Sequence, residues 1–261
     1  MGTITKALNL LNYFSETAPE LGLMEFKKLS GQDKATVHRH LTELTANGFL
    51  EQNPETRKYR LGAAILRLSA VRERTFPARR IVAHWVKELA CQVEELVHAS
   101  LIQGSRMSSL CFHDGRVGGT RVYFSEADML PMHATASGLS ALAFGPPDIL
   151  KKVLARKLES YTEYTPTDPQ ALLAKVEEAR RKGYAVSNQT YEREVCSVSA
   201  PFFENSAKAS GAISVAIPAT RIDETKINEV ARHLWQISDA VSDQLGGAVP
   251  QEFRQHMARV S

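Results

Sequence analysis

The sequence predicts an α+β chain in two domains, and three observations carry the prediction. Its 261 residues suit two cores better than one, because single cores stop growing near ~250 residues. The N-terminal quarter shows helical periodicity followed by a short basic hairpin pattern. Beyond it, apolar and polar residues alternate at strand period between helical stretches. Hydrophobic residues at 43% and charged residues at 23% exclude a disordered or fibrous chain.

Ile4, Ala7, Leu8, Leu11 and Phe14 recur at helical spacing, so a first helix is expected over 4–15, ending before Pro19. A second, Leu23 to Ser30, would bury Leu23, Phe26 and Leu29. Gly31 then supplies a tight turn before a third helix from Lys34 to Asn47, which is helix-turn-helix spacing. In the third helix Val37, Leu41 and Leu44 share one face and His40 lies near it. The opposite face presents Ala35, Arg39 and Thr42, flanked by Thr36, His38 and Glu43.

A recognition helix needs this division, since its outer residues must reach base edges while its apolar side stays docked. Lys34, Ala35, Thr36, His38, Arg39 and Thr42 are therefore the DNA-contact candidates, with Arg39 foremost. Arginine can bind guanine bidentately or a phosphate by charge. The alternative is an ordinary solvated helix face.

Gly48 closes that helix, and FLEQNPETRKYRLG reads as two strands joined by a turn at Asn53-Pro54-Glu55-Thr56. Arg57 and Lys58, with Arg60, stand ready to neutralise phosphates, while Tyr59 and Leu61 are expected to pack inward. Charge follows the same division. Residues 1–80 hold 13 Lys or Arg against 8 Asp or Glu, a balance of +5, and residues 81–261 hold 19 against 21, a balance of −2.

No stretch reaches the ~20 apolar residues of a membrane helix, and the start MGTITKALNLLNYFSE lacks a signal peptide's apolar region. A cytoplasmic protein with no membrane partner is expected. Cys91, Cys111 and Cys196 are odd in number and widely spaced, so reduced thiols, no structural metal and no cofactor are expected.

Leu61, Ile65, Leu68 and Val71 form an apolar stripe beside Arg67, Arg72 and Arg74, suggesting a linker helix broken near Pro77. A helix at about 77–96 follows, then strands near 98–103, 108–113 and 120–124 of an antiparallel sheet. Helices are expected at 137–142, 148–154 and 169–182, and strands at 195–203 and 210–217.

In HATASGLS, the small residues Thr135, Ala136, Ser137 and Gly138 leave backbone N–H groups open at a helix N-terminus, which favours a carboxylate. The facing wall is expected from EVCSVSA, with Cys196, Val198 and Ala200 on one face, and from Ser214 and Ala216 on the partner strand. Each has a blander reading: Ser137 as a cap, Cys196 as a small apolar group, Ser214 as a strand hydroxyl. A thiol enzyme pairing Cys196 with His133, or Cys111 with His113, is the rival class, but no phosphate loop or G-x-S-x-G motif accompanies it.

The segment DKATVHRHLTELTANGFLEQNPETRKYRLG resembles the recognition helix and wing of IclR-type regulators, including a Tyr-x-Leu-Gly step at Tyr59 to Gly62. PMHATASGLSALAF and GYAVSNQTYEREVCSVSAPFFENSAKASGAISVAIP resemble that family's effector-binding segments, in the same order. The resemblance implies a winged helix-turn-helix domain (1–61), a linker helix (62–76), a GAF-like α/β effector domain (77–247) and a C-terminal tail (248–261).

It further implies a homodimer or homotetramer on palindromic double-stranded operator DNA, with linker contacts between copies, tuned by a small organic acid. Ligand positions carried over by motif are Thr135, Ala136, Ser137, Gly138, Cys196, Val198, Ser214 and Ala216, with Tyr191 and Glu194 from the adjoining loop. The chain departs from the family where Arg39-His40-Leu41 replaces a more usual Arg-Leu-Leu step and where Gly22 replaces a Ser or Thr cap. A small-molecule-binding protein or thiol enzyme with no DNA role is the alternative.

Overall fold

The computed structural model describes residues 2–258 apart from 76, 77, 117, 126, 127 and 205. They fall into two compact units, Met1–Pro77 and Ala78–Ser261. The expected helix break near Pro77 lies outside the described residues.

The first unit contains α1 (Thr3–Leu11), α2 (Leu23–Ser30), α3 (Lys34–Ala46), the antiparallel pair β1 (Leu50–Gln52) and β2 (Tyr59–Leu61), and α4 (Ala63–Thr75). Its core gathers Leu10, Phe26, Val37, Leu41, Leu44, Leu50 and Tyr59. Phe26 is the hub, with Phe14 edge-on at 5.6 Å and Tyr59 at 6.3 Å. Gly31 closes α2 at φ 66, a left-handed value that side chains disfavour, and so sets the turn into α3.

Three expectations here are corrected. The first helix ends at Leu11 rather than residue 15, because Ser15 and Ala18 bond each other's backbone in a tight turn. Leu10 is its buried residue, whereas Ile4 and Leu8 are exposed. Leu29 and Leu61 are also exposed, since α2 buries only Phe26 and Leu61 ends its strand beyond the core. The apolar pattern thus marks two surfaces, one filled by this core and one left open.

The second unit opens with α5 (Ala78–Val93), β3 (Leu96–Gln103), β4 (Arg106–Asp114), β5 (Met129–Pro131), α6 (Ala136–Phe144), α7 (Pro147–Leu154) and α8 (Pro169–Lys182). It continues with β6 (Ala185–Asn188), β7 (Val195–Phe203), β8 (Ala209–Pro218), α9 (Glu224–Gln244) and α10 (Gln251–Ala258). The strands form one antiparallel sheet ordered β5-β4-β3-β8-β7-β6.

Period-two alternation gives the sheet two different faces. Val97, Ala99, Val198, Ala200, Ile213, Val215 and Ile217 pack with α5 and α9 in the larger core. The other face, carrying His98, Ser199 and Ser214, lies toward α6, whose Ser140 hydroxyl donates to the Ser199 carbonyl at 3.0 Å. A smaller core joins α6, α7 and α8 there.

Residues 120–124 lack the expected strand pairing, and the third strand of that hairpin is β5, bonded to β4 through Met107 and Leu130. The helix expected to run to Leu96 stops at Val93, because Glu94 turns left-handed at φ 55. β6, α9 and α10 were not expected. The segment read as a tail contains α10, which buries Phe253 against Phe144 and Phe203.

Candidate functional site

Two surfaces hold the candidate residues, one in each unit. On α3, Asp33 caps the helix by accepting from the Thr36 N–H at 2.9 Å, and the Thr36 side chain first, then this N–H, hold the Asp33 carboxyl below the usual carboxylate range. Val37, His40, Leu41 and Leu44 are buried. Lys34, Ala35, His38, Arg39 and Thr42 are exposed and Thr36 is half-buried.

The wing turn is built by Asn53, whose side-chain oxygen accepts from the Glu55 and Thr56 N–H groups at 2.9 and 3.2 Å. Arg57 then adopts φ 59 and is exposed. A groove between α2, α3 and the wing brings together His38, Thr42, Arg57 and Lys58, and adds Met24 and Gln52, which sequence reading missed. Lys34, Ala35, Thr36 and Arg39 stand outside this groove on the same helix. Lys58 faces Glu25 at 3.6 Å and Arg60 faces Glu51 at 3.1 Å, so two of the three wing cations have an exposed acidic neighbour.

His40 is 3% exposed and neither ring nitrogen has a partner among the described residues. Burial first, then the positive charges of Arg39 and Lys6, lower its pKa, so it belongs to the neutral core behind α3.

In the second unit a cavity lies between the start of α6 and the hydroxyl-bearing sheet face. Thr135, Ala136, Ser137, Tyr191, Ser214 and Ala216 line it, as do His98, Phe124, Ser187, Glu192 and Ser197. It leaves about 50 Å³ for the centres of water-sized atoms, room for roughly four waters. Its lining includes a single carboxylate, Glu192, and no Lys or Arg among the described residues.

Thr135 is committed to structure. Its hydroxyl donates to the Pro131 carbonyl at 2.9 Å and accepts from the Gly138 N–H at 3.2 Å. Gly138 serves packing, since a Cβ there would sit 2.2 Å from the Met132 Cα. That close approach is what lets α6 enter the core with every residue from Ala136 to Ala143 buried.

The expected face of β7 is corrected by its register. Ser197 pairs with Ala216 and Ser199 with Ser214, so these four share the cavity side. Cys196 and Val198, paired with Ile217 and Val215, point to the opposite side. Cys196 Sγ lies 2.9 Å from Asn188 Oδ1, and burial pushes its thiol pKa up. Gly138 and Glu194 also lie outside the cavity wall. His133, proposed as a base for Cys196, instead bonds the Glu159 carbonyl through Nε2 at 2.9 Å.

His98 is the lining residue with most consequence that sequence reading missed. It is 5% exposed, its Nδ1 lies 3.3 Å from Ser100 Oγ, and its ring stacks on Phe124 at 4.5 Å. Burial lowers its pKa to about 4, so the ring is neutral near pH 7. The alternation that set Val97 and Ala99 inward to one core would have placed His98 on the other side with Ser214.

A winged helix-turn-helix unit followed by a sheet domain with a small cavity is the architecture of a ligand-responsive transcription regulator. The chain belongs to the IclR family. Residues 3–54 match the IclR helix-turn-helix domain and residues 74–243 match the bacterial transcriptional regulator IclR C-terminal domain. It is 26% identical over 245 residues to the HTH-type transcriptional regulator XynR of Escherichia coli, covering 94% of this chain and 97% of that protein.

Among solved structures, a chain from Silicibacter sp. TM1040 classed as an IclR transcriptional regulator superposes with a TM-score of 0.88 at 38% identity. The match covers 97% of this chain and 99% of that one. An IclR homolog from Microbacterium hydrocarbonoxydans, complexed with 4-hydroxybenzoate, shares the fold at a TM-score of 0.72 and 21% identity, covering 94% of this chain and 99% of that one. Among the described residues no helix is long and apolar enough to cross a membrane.

Proposed function

We propose that the chain is a non-enzymatic, cytoplasmic regulator that binds a palindromic operator as a homodimer or homotetramer and changes its DNA affinity when a small carboxylate occupies the α6 cavity. The observation that carries this reading is α3: a capped helix with its apolar side fully buried and a bare, partly basic side beside a basic wing. Lys34, Ala35, Thr36, His38, Arg39 and Thr42 would meet the major groove, and Arg57 and Lys58 the phosphates.

Pairing of copies is supported by α4, which buries none of its residues while exposing Leu66, Leu68 and Val71. Two recognition helices would then address half-sites about 34 Å apart or a multiple of it. The 4-hydroxybenzoate bound by the Microbacterium homolog supports a carboxylate effector. Repression is the direction we favour, as in the related transcriptional repressor IclR of Escherichia coli, 24% identical over 249 residues.

The test is binding to DNA from the gene's own upstream region, at two salt concentrations and against scrambled competitor. Specific affinity should fall with salt, and Arg39→Ala should lose about 1–3 kcal/mol of it with folding intact. Wild-type affinity in Arg39→Ala would overturn the assignment of α3.

A further inference from the structure

The cavity's hydrogen-bond directions go further than its location. Ser199 donates its hydroxyl to the Ile213 carbonyl at 2.9 Å, and Ser214 donates its own to Ser199 at 2.8 Å. Both serines are fully buried. With its single proton spent, Ser214 offers the cavity lone pairs only, and a lone pair is satisfied by a donor. A carboxylate carries no proton to give, so it is the wrong group for this wall.

Beside Ser214, as its register partner across β3 and β8, stands His98. Its Nδ1 lies against Ser100 Oγ, while Nε2 has no partner among the described residues although the residue lines the cavity and is 5% exposed. We assign the tautomer in which Nδ1 accepts the Ser100 hydroxyl proton, so that Nε2 carries the ring's hydrogen and donates. A group that both donates and accepts, such as an alcohol, satisfies Ser214 and His98 together. An apolar group in the same place leaves two buried polar atoms unmatched.

The other end of the cavity has the opposite character. Thr135 has spent its proton on Pro131, but the N–H groups of Ala136 and Ser137 have no partner among the described residues and stand at the start of α6. Backbone donors at a helix N-terminus suit one carboxylate. A second negative charge on the ligand would find no Lys or Arg among the described residues of the wall and would meet Glu192.

We propose that the effector is a compact hydroxylated monocarboxylate, its carboxylate on the first turn of α6 and its hydroxyl between Ser214 and His98, which together select hydroxy acids against their deoxy counterparts. This rests on the cavity being the effector site. The space available and the Phe124 ring stacked on His98 fit a short aliphatic acid.

The experiment is calorimetric titration of the full chain with matched pairs: glycolate and acetate, lactate and propionate, 3-hydroxybutyrate and butyrate. At least one hydroxy acid should bind, at least tenfold tighter than its deoxy partner. Ser214→Ala should bring that ratio below threefold by weakening the hydroxy acid alone, and His98→Leu should do the same. The serine variant loses its buried bond to Ser199, so its midpoint should fall slightly, and its fold is checked by a single cooperative unfolding transition.

Members that bind within threefold of each other in every pair that binds, with binding blocked by Ser137→Trp, would overturn the proposal and leave the cavity as the effector site. Binding that survives Ser137→Trp would overturn both. Failure of every acid in the panel to bind would also overturn both.

Discussion

α3 and α6 are capped in the same way and used in opposite ways. Each begins with a side-chain oxygen accepting the N–H three residues on, Asp33 to Thr36 and Thr135 to Gly138. α3 then keeps one side in the core and leaves the other bare, while α6 is buried from Ala136 to Ala143. The difference separates two demands. A surface that reads another molecule can change its outward residues at little cost in stability. A helix that forms a cavity wall is part of the core, and its small residues are there because the backbone of Met132 passes so close.

The largest effect is expected from Gly138→Val. Its Cβ would lie 2.2 Å from Met132 Cα, so the helix must shift or the unit must open. Overpacking against backbone should cost about 3 kcal/mol or more. A urea midpoint equal to wild type would show that α6 is not held against that strand end.

Next comes pH. His98 titrates near 6.5 when unfolded and at about 4 when folded, so between those values the unfolded chain binds a proton that the folded chain refuses. Stability from the neutral ring is therefore complete above pH 6.5 and is lost as pH falls toward 4, by about 3 kcal/mol at the lower end. His40, also lowered by burial, acts in the same direction in the first unit. Denaturant unfolding of wild type and His98→Leu between pH 7.5 and 4.5 would reveal the difference as a flatter slope in the variant.

Thr135→Ala and Asp33→Ala remove equivalent caps. The buried one should cost about 2 kcal/mol and the exposed one about 1 kcal/mol. Equal losses would mean that burial adds nothing to the cap.

The same contrast explains what could be read in the sequence. α3 was legible because Val37, Leu41 and Leu44 recur against polar neighbours, and the core was built on them. α6 has no polar side, so its periodicity is silent, and its small residues and family likeness located it instead. The cavity face of β7 was misread because each alternating set, Cys196 with Val198 or Ser197 with Ser199, looks equally fit for a wall. Requiring antiparallel partners to share a face would have chosen Ser197 and Ser199 once Ser214 and Ala216 were chosen.

α9 carries a stripe readable in the sequence at Val230, Leu234, Ile237 and Val241. α10 does not, since Phe253 is the one aromatic residue that anchors it and isolated residues have no period. At the N-terminus the pattern of Ile4 and Leu8 was real but described an open surface rather than the core.

Proposed control of DNA affinity in one unit by the cavity in the other is tested most directly by Ser137→Trp. Ser137 is 1% exposed and lines the cavity, so an indole there fills the space. Operator affinity is measured by fluorescence anisotropy for wild type and variant, each without and with the hydroxy acid that binds most tightly. Wild type should shift by about 5–150-fold, while the variant matches wild type without the acid and does not shift with it. A variant that responds to the acid as wild type does would contradict the account.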